Sequence, residues 1–129
     1  MIDGLKLDLR IYVLVSSCDP LKIYVHKEGL VRFATKKYQP IKIGCGRKNL
    51  ENLFVHLTNY SLNKDNANFI NPESVEDEKA HKRTLTSVFK TLRERYGADP
   101  DKIWAECKDV IIKSMLTVLP DLLHNFRMC

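Results

Sequence analysis

The chain has 129 residues, of which 44% are hydrophobic and 29% are charged, as is typical of one globular domain. Its apolar runs are about half as long as a membrane span, and its four cysteines and four histidines are scattered, which argues against a transmembrane helix and a zinc site and predicts free thiols. The formal net charge of +5 is concentrated in residues 1–64, where eleven Lys and Arg outnumber five Asp and Glu, whereas residues 65–129 hold ten against eleven. The basic half is either a solvated surface or a site for phosphate, nucleic acid or an acidic peptide.

The first third of the chain predicts three strands in an antiparallel meander. Residues 9–16 alternate apolar and polar side chains with the period of two that a strand shows. Turn-forming residues at 17–20 separate this strand from a second one, predicted at 21–26. A tight turn is expected at Lys27-Glu28-Gly29, and a third strand at 30–35.

The middle of the chain is richer in polar and turn-forming residues. Residues 36–52, which contain one proline and two glycines among many basic residues, predict irregular structure. Residues 55–59 predict a short strand or a strand end. Residues 63–77 are rich in Asn, Asp, Glu, Ser and Pro and predict an exposed, mobile loop.

Apolar residues at helical spacing predict two helices in the last third. The first stripe consists of Leu85, Val88, Phe89, Leu92 and Tyr96. The second stripe consists of Trp104, Cys107, Ile111, Met115 and Val118. Gly97 is expected to end the first helix, Pro100 to begin the second, and Pro120 to end or kink it. Strands followed by helices predict an α+β domain.

A charged cluster on the first strand is one candidate site. Lys6, Asp8 and Arg10 are two residues apart, so on a strand they project from one face at intervals of about 6–7 Å. One interpretation is a structural salt bridge. The other is a ligand site, in which Arg10 forks onto a carboxylate or phosphate while Asp8 orients it or contacts a metal-bound ligand. Arg32, on the third predicted strand, is expected to reach the same face.

The polar run from His56 to Lys64 is the second candidate site. It contains five amide or hydroxyl side chains, flanked by an imidazole and an ammonium group. A turn that closes the strand through Asx or Ser/Thr hydrogen bonds explains the run structurally. The functional interpretation is a nucleotide-contacting segment, in which Thr58 and Asn59 donate to a phosphate or ribose. The two clusters together indicate a site for a polyanion and a cation.

Six short segments, taken together and in this order, resemble the tubulin tyrosine ligase-like family, and the last two resemble its polyglutamylase members. They are IDGLKLDLRIYVLV at 2–15, SCDPL at 17–21, EGLVRFAT at 28–35, HLTNYS at 56–61, DVIIK at 109–113 and HNF at 124–126. The resemblance spans nearly the whole chain. It implies the ATP-grasp fold and a ligase in which ATP phosphorylates an acceptor carboxylate and the amine of a free amino acid attacks the acylphosphate.

The resemblance also implies roles for individual residues. Arg10 and Arg32 match the positions that hold the acceptor glutamate and the charge that develops during transfer, and so are the expected catalytic residues. The residues expected to bind the nucleotide are Lys6, Asp8, His56, Leu57, Thr58 and Asn59. The carboxylates that hold magnesium in the family have no match in this sequence. We therefore expect residues 1–129 to be part of a catalytic domain that is truncated at both ends and inactive in isolation.

From the resemblance we predict ATP-dependent ligation of glutamate onto glutamate side chains of tubulin tails. The expected cofactors are ATP and Mg²⁺, the expected partners are free glutamate and the acidic C-terminal tails of tubulin in microtubules, and the expected location is the cytoplasm, on the cytoskeleton, cilium or basal body. We expect neither membrane nor nucleic acid as a partner, the latter because the basic residues lack a stripe of stacking aromatics. The alternatives are a tubulin glycylase, a tyrosine ligase, or a non-catalytic module that binds acidic tails or microtubules.

Overall fold

The computed structural model describes residues 1–40, 52–74, 77 and 79–128. The elements in chain order are β1 (Leu5–Cys18), β2 (Leu21–Lys37), α1 (Leu53–His56), α2 (Tyr60–Asn63), β3 (Lys82–Thr84), α3 (Leu85–Tyr96) and α4 (Pro100–Met128). The long strands precede the long helices, which confirms the predicted α+β class.

The three strands form one sheet in the order β1-β2-β3. β1 and β2 are joined at Asp19-Pro20, whose peptide bond is cis, and a connection this short requires antiparallel neighbours. β3 pairs antiparallel with β2, so that Leu30 lies opposite Thr84 and Arg32 opposite Lys82. The third strand of the sheet is therefore β3, and the prediction of a separate third strand at 30–35 is wrong.

The predicted turn at Lys27-Glu28-Gly29 is also wrong, because β2 passes through it without a break. Gly29 does not form a turn; it allows the backbones of β2 and β1 to approach each other closely. A Cβ atom at this position would lie 2.5 Å from the backbone oxygen of Arg10 on β1. Glu28 accepts hydrogen bonds from the Thr86 hydroxyl at 2.6 Å and from the Thr86 N–H at 3.2 Å, so its carboxylate caps the first turn of α3.

The residues divide into two compact units, Met1–Arg10 with Glu28–Phe89 and Ile11–Lys27 with Lys90–Cys129. The first unit has a small apolar core. Its buried hydrophobic residues are Ile2, Val31, Phe33, Ala34, Val55, Ala80, Leu85 and Val88. Arg83 is also buried, with its guanidinium 4.3 Å from the centre of the Phe33 ring and its Nε donating to the Ala80 carbonyl. This stacking lets a charged residue line an apolar core.

The second unit contains the β1–β2 turn and all of α4. The side chain of Arg127, near the end of α4, donates to the Asp19 carboxylate at 3.0 Å. α4 continues through Pro120 to Met128, so of the two effects predicted for Pro120, ending or kinking the helix, the first is wrong. Val118, the last residue of the predicted apolar stripe, is 40% exposed. The less exposed stripe of α4 continues through Leu119 instead.

Both helix boundaries at the α3–α4 junction are as predicted. α3 ends at Tyr96, and Gly97 follows it with a φ of +61°, a left-handed conformation that glycine adopts at low cost. α4 begins at Pro100, where a missing N–H does no harm. In the parts of the chain that the structure describes, none of the helices combines the length and the apolar character that crossing a membrane requires.

The connecting segments depart from the prediction in detail. Residues 55–59 are not a strand: α1 ends at His56 and the chain continues extended to α2. Residues 64–74 and 77 form neither helix nor strand, as predicted, but Asn63 is helical and buried. Of the predicted irregular stretch 36–52, residues 36 and 37 belong to β2, and 41–51 lie outside the described residues. Two of the four cysteines are described, Cys18 and Cys107, and both are free thiols, as predicted.

Candidate anion-binding site

A cavity of about 110 Å³ opens on the first unit, beside the pairing of β2 with β3. It is lined by Leu30, Arg32, Thr58, Tyr60, Phe69, His81 and Lys82. Arg32 and Lys82 occupy directly opposite positions of the two strands, so their side chains project from the same face of the sheet, with Cβ atoms about 5 Å apart. The cavity therefore presents two cations side by side.

Three rings form one wall of this cavity. Tyr60 packs edge-on against Phe69, with 5.7 Å between the ring centres, and Phe69 stacks on His81 with 5.6 Å between theirs. Such pairs hold their rings in fixed orientations. The wall is apolar apart from the Tyr60 hydroxyl and the His81 nitrogens, so charge is confined to the side of the cavity that Arg32 and Lys82 form.

His81 is held by backbone as well as by its ring. Its N–H donates to the Ile70 carbonyl, its own carbonyl accepts from the Phe33 N–H, and its Nδ1 accepts from the Ile70 N–H at 3.1 Å. Burial, and then the nearby charge of Arg83, lower the pKa of His81 below its ordinary value. His81 is therefore neutral at pH 7 with its proton on Nε2, and it adds no positive charge to the cavity.

Thr58 reaches the cavity because Asn63 fixes the backbone on either side of it. The Asn63 Nδ2 donates to the carbonyls of Leu57 at 3.0 Å and Asn59 at 2.9 Å, and its Oδ1 accepts from the Thr35 hydroxyl on β2 at 2.7 Å. Asn63 is only 1% exposed. One buried amide thus ties the polar run to the sheet, with Thr58 between the two carbonyls that it binds.

The charged cluster on β1 forms an ion pair. The Arg10 Nε lies 2.5 Å from the Asp8 Oδ2, as the structural interpretation of this cluster predicted. The other carboxylate oxygen, Asp8 Oδ1, is buried and has no hydrogen-bond partner among the described residues. A buried acceptor of this kind costs free energy unless a donor reaches it, so the site suits a ligand hydroxyl or amino group.

Of the predicted site residues, the structure brings Arg32 and Thr58 together in the cavity and pairs Asp8 with Arg10. Tyr60 of the polar run also lines the cavity, but the other predicted site residues do not. Lys6 is exposed on β1, and the His56 ring packs edge-on against Tyr38, with 6.1 Å between centres. Leu57 and Asn59 contribute the carbonyls that Asn63 binds.

Sequence reasoning missed three residues that shape the cavity, His81, Lys82 and Asn63. β3 has only three residues, too few for an alternating pattern to reveal a strand, so nothing placed Lys82 opposite Arg32. Asn63 was part of the polar run, but its role depends on contact with Thr35, 28 positions earlier. Only the i, i+4 spacing from Asn59 to Asn63 hinted at a bond within a helical turn.

A metal-binding cluster is not evident in the described residues, where no group of three or more His, Cys, Asp or Glu side chains could hold an ion. The expected Mg²⁺ therefore cannot be assigned to these residues. The cavity's own chemistry is anion binding, since a guanidinium, an ammonium and a hydroxyl converge on it. The fold and the site therefore place the chain among small α+β domains that bind anions, a class that includes nucleotide-dependent enzymes.

The comparison with known families is decisive about the particular class. The sequence model of the Tubulin-tyrosine ligase family matches residues 1–127, so the chain belongs to this family. Its members have an ATP-grasp-like fold, and its ligases depend on ATP and typically use Mg²⁺. The resemblance of the six segments is thereby confirmed.

The chain is also similar over its whole length to tubulin polyglutamylases. It is 47% identical over 130 residues to a probable beta-tubulin polyglutamylase of Tetrahymena thermophila, 43% over 129 residues to tubulin polyglutamylase TTLL13 of Mus musculus, and 40% over 129 residues to tubulin polyglutamylase TTLL7 of Xenopus tropicalis. Each alignment covers 100% of this chain but only 10%, 15% and 13%, respectively, of the relative. The chain therefore spans a small share of the length of these relatives.

Proposed function

We propose that the protein ligates glutamate onto glutamate side chains of tubulin tails at the expense of ATP, as a tubulin polyglutamylase. Three findings support this proposal: membership of the family, identity of 40–47% to proteins named as tubulin polyglutamylases, and a cationic cavity that contains Arg32 and Thr58. The cavity is the observation that carries it. The sequence resemblance assigned one acceptor-binding residue and one nucleotide-binding residue to distant parts of the chain, and both line it.

The chemistry of the proposed reaction explains why cations are needed. The acceptor carboxylate takes the γ-phosphoryl group of ATP, which releases ADP. The amine of free glutamate then attacks the acyl carbon, expels phosphate, loses a proton and leaves an amide bond. Negative charge gathers on the carboxylate and phosphoryl oxygens in both steps, and preorganised positive groups stabilise it.

The residues of this chain divide that work between two places. Arg32 holds the acceptor carboxylate in the cavity, where its planar guanidinium offers two parallel N–H donors. Thr58 lines the same cavity and offers its hydroxyl group there as a hydrogen-bond donor. On β1, Asp8 orients the guanidinium of Arg10 through their ion pair. Its buried Oδ1 accepts a hydrogen bond from a hydroxyl or amino group of the nucleotide. Lys6, exposed two residues earlier on β1, extends the proposed nucleotide side.

Polar contacts of His56, Leu57 and Asn59 with the nucleotide are part of the same proposal. Their support is positional, because the Asn63 amide fixes the carbonyls of Leu57 and Asn59 on either side of Thr58. ATP supplies the phosphoryl group, and Mg²⁺ is its proposed counterion. We further propose the acidic C-terminal tails of tubulin in microtubules as partners, and the cytoskeleton of the cytoplasm, cilium or basal body as the location.

Three other functions would also need a cationic site, and the experiment must distinguish them from this one. A tubulin glycylase or tyrosine ligase would keep the same phosphoryl step but accept a different amino acid. A module that only binds acidic tails would need the cations but not ATP. The basic residues suit all of these functions. Whether an amino acid is transferred, and which one, therefore distinguishes them.

The test is incorporation of radiolabelled amino acid into purified tubulin by the complete protein. We expect labelled glutamate to be incorporated only when ATP is present, and labelled glycine and tyrosine to remain at the level of a control without enzyme. Incorporation of glycine or tyrosine instead of glutamate would support the corresponding alternative. Tubulin binding without incorporation of any of the three would contradict the ligase function.

A further inference from the structure

We propose that Lys82 is a second carboxylate-binding residue of the Arg32 cavity, and that the pair holds a glutamyl carboxylate of the acceptor chain. This inference rests on the proposed function, and it assigns a substrate contact to a residue on β3 that the sequence did not single out. The starting observation is the register of the sheet, which places Lys82 directly opposite Arg32. Both side chains line the same cavity.

The pairing of two cations is unfavourable for the fold alone. Like charges directly opposite each other on neighbouring strands destabilise a sheet. Within the described parts of the chain, neither Arg32 nor Lys82 makes an ion pair with a carboxylate, whereas Arg10, Arg93, Lys113 and Arg127 each do. An arrangement that costs stability without a compensating partner is expected where a ligand supplies the missing charge.

The cavity is too small for a whole nucleotide but fits a carboxylate, so that at most the terminal phosphoryl group of ATP would reach Thr58 there. At about 110 Å³ it is well below the roughly 300–1,000 Å³ of pockets that enclose whole small molecules. A carboxylate with a short aliphatic stem fits such a volume. The stem would lie against the ring of Phe69 and the side chain of Leu30, while the oxygens would meet the two cations.

The surroundings favour a peptide over a free amino acid. A second cavity of about 310 Å³ shares Leu30 and Lys82 with the first, so a ligand anchored between the cations can continue into it. Its other lining residues are Pro72, Glu73, Ser74, Arg83 and Thr84. The opposite charges of Glu73 and Arg83 offset each other, so the excess of positive charge is at the Arg32–Lys82 end, and the larger space is left for the rest of a peptide chain.

The experiment is calorimetric titration of three ligands, separately, into the complete protein: a glutamate-rich tubulin-tail peptide, free glutamate and ATP. The variants are Lys82→Met, Lys82→Arg and a matched control, Lys79→Met. Lys79 is an exposed lysine of the same unit that lines neither cavity, so its replacement removes the same charge without touching the site. Lys82 is also exposed, so its replacement leaves the core intact.

We expect Lys82→Met to weaken peptide binding about tenfold or more, the loss typical of a hydrogen bond to a charged group, while Lys82→Arg retains most of the affinity. ATP affinity should stay within about twofold of wild type in all variants, as should peptide affinity in Lys79→Met. Equal peptide affinities in Lys82→Met and Lys79→Met would overturn the inference, as would a loss confined to ATP or to free glutamate. If the wild type incorporates glutamate and Lys82→Met binds peptide normally, only this inference fails; if no amino acid is incorporated, the proposed function fails, and the titration still decides the role of Lys82.

Discussion

At the scale of single residues, Asn63 decides where the polar run lies. Its amide group has two donor hydrogens and one acceptor oxygen engaged, with the carbonyls of Leu57 and Asn59 and the hydroxyl of Thr35. No other side chain of similar shape can make all three bonds, because a carboxylate has no donor and a methyl group has neither. The placement of Thr58 in the cavity therefore depends on a residue that does not itself line it.

We predict that Asn63→Asp lowers both stability and nucleotide affinity. The carboxylate would face two carbonyl oxygens, and each buried carbonyl that loses its partner costs about 1–3 kcal/mol. Asn68→Asp is the matched control, since Asn68 is exposed and the substitution adds the same charge. Thermal unfolding measures the first effect, and the KM for ATP measures the second.

A purely structural role for Asn63 would leave a different signature. In that case the folded fraction of Asn63→Asp, studied well below its melting temperature, would show the KM for ATP of the wild type. A positioning role predicts a raised KM at that temperature and a normal KM in Asn68→Asp. An unchanged KM together with a lowered melting temperature would remove Asn63 from the positioning of Thr58.

At the scale of elements, Gly29 determines how closely β2 approaches β1. A methyl group at this position would lie 2.5 Å from the Arg10 carbonyl oxygen, and 3.7 Å from the Leu85 side chain at the start of α3. The oxygen belongs to a paired backbone and cannot move aside cheaply. The neighbouring Glu28 caps α3. Burial raises the pKa of its carboxyl group, but hydrogen bonds from Thr86, Gly29 and Leu85 lower it by more, so that the pKa lies below its usual value.

We predict that Gly29→Ala destabilises the fold by about 1–3 kcal/mol, the range for forcing an extra carbon into a packed site. Lys27→Ala, two residues earlier on the same strand and exposed, should change the free energy of unfolding by less than about 0.5 kcal/mol. Urea unfolding followed by circular dichroism compares the two. Similar midpoints for both variants would show that β1 and β2 do not need the close contact.

The elements also show how far the sequence could predict the fold. Regular periodicity predicted β1 and both long helices, because each repeats a pattern over many residues. The pattern around Gly29 was misleading, since glycine serves turns and close approaches alike. β3 left no pattern to recognise, and the segment from Leu57 to Asn63 is held by contacts from Asn63, such as the one to Thr35, that no local signal encodes.

The candidate site was predictable only in part, for the same reason. Arg32 and Thr58 were predicted from a family resemblance, and the structure brings them together. Lys82 and His81 enter the cavity through the pairing of β3 with β2, a contact between positions about 50 residues apart in sequence. The pairing of Asp8 with Arg10 was one of two interpretations that the sequence left open, and their catalytic and nucleotide-binding roles stay predictions.

At the scale of the whole molecule, the Arg32 cavity is the proposed place at which the anionic substrate binds. The excess of positive charge in residues 1–64 favours encounter with acidic tails, but a field of that kind is not specific. Specificity has to come from fixed groups at short range. Among the described residues, the guanidinium of Arg32 is the group in this cavity that can bind a carboxylate through two parallel hydrogen bonds.

The most direct test is the rate of ATP-dependent glutamate incorporation into tubulin by the Arg32→Lys variant of the complete protein. A lysine keeps the charge but loses the fork, so we predict a rate reduced about 100-fold or more, with the melting temperature nearly unchanged. Arg93→Lys is the control, because Arg93 is exposed and its ion-pair partner among the described residues is the exposed Asp101, and it should retain the wild-type rate. A wild-type rate in Arg32→Lys would contradict the account and separate this cavity from the reaction.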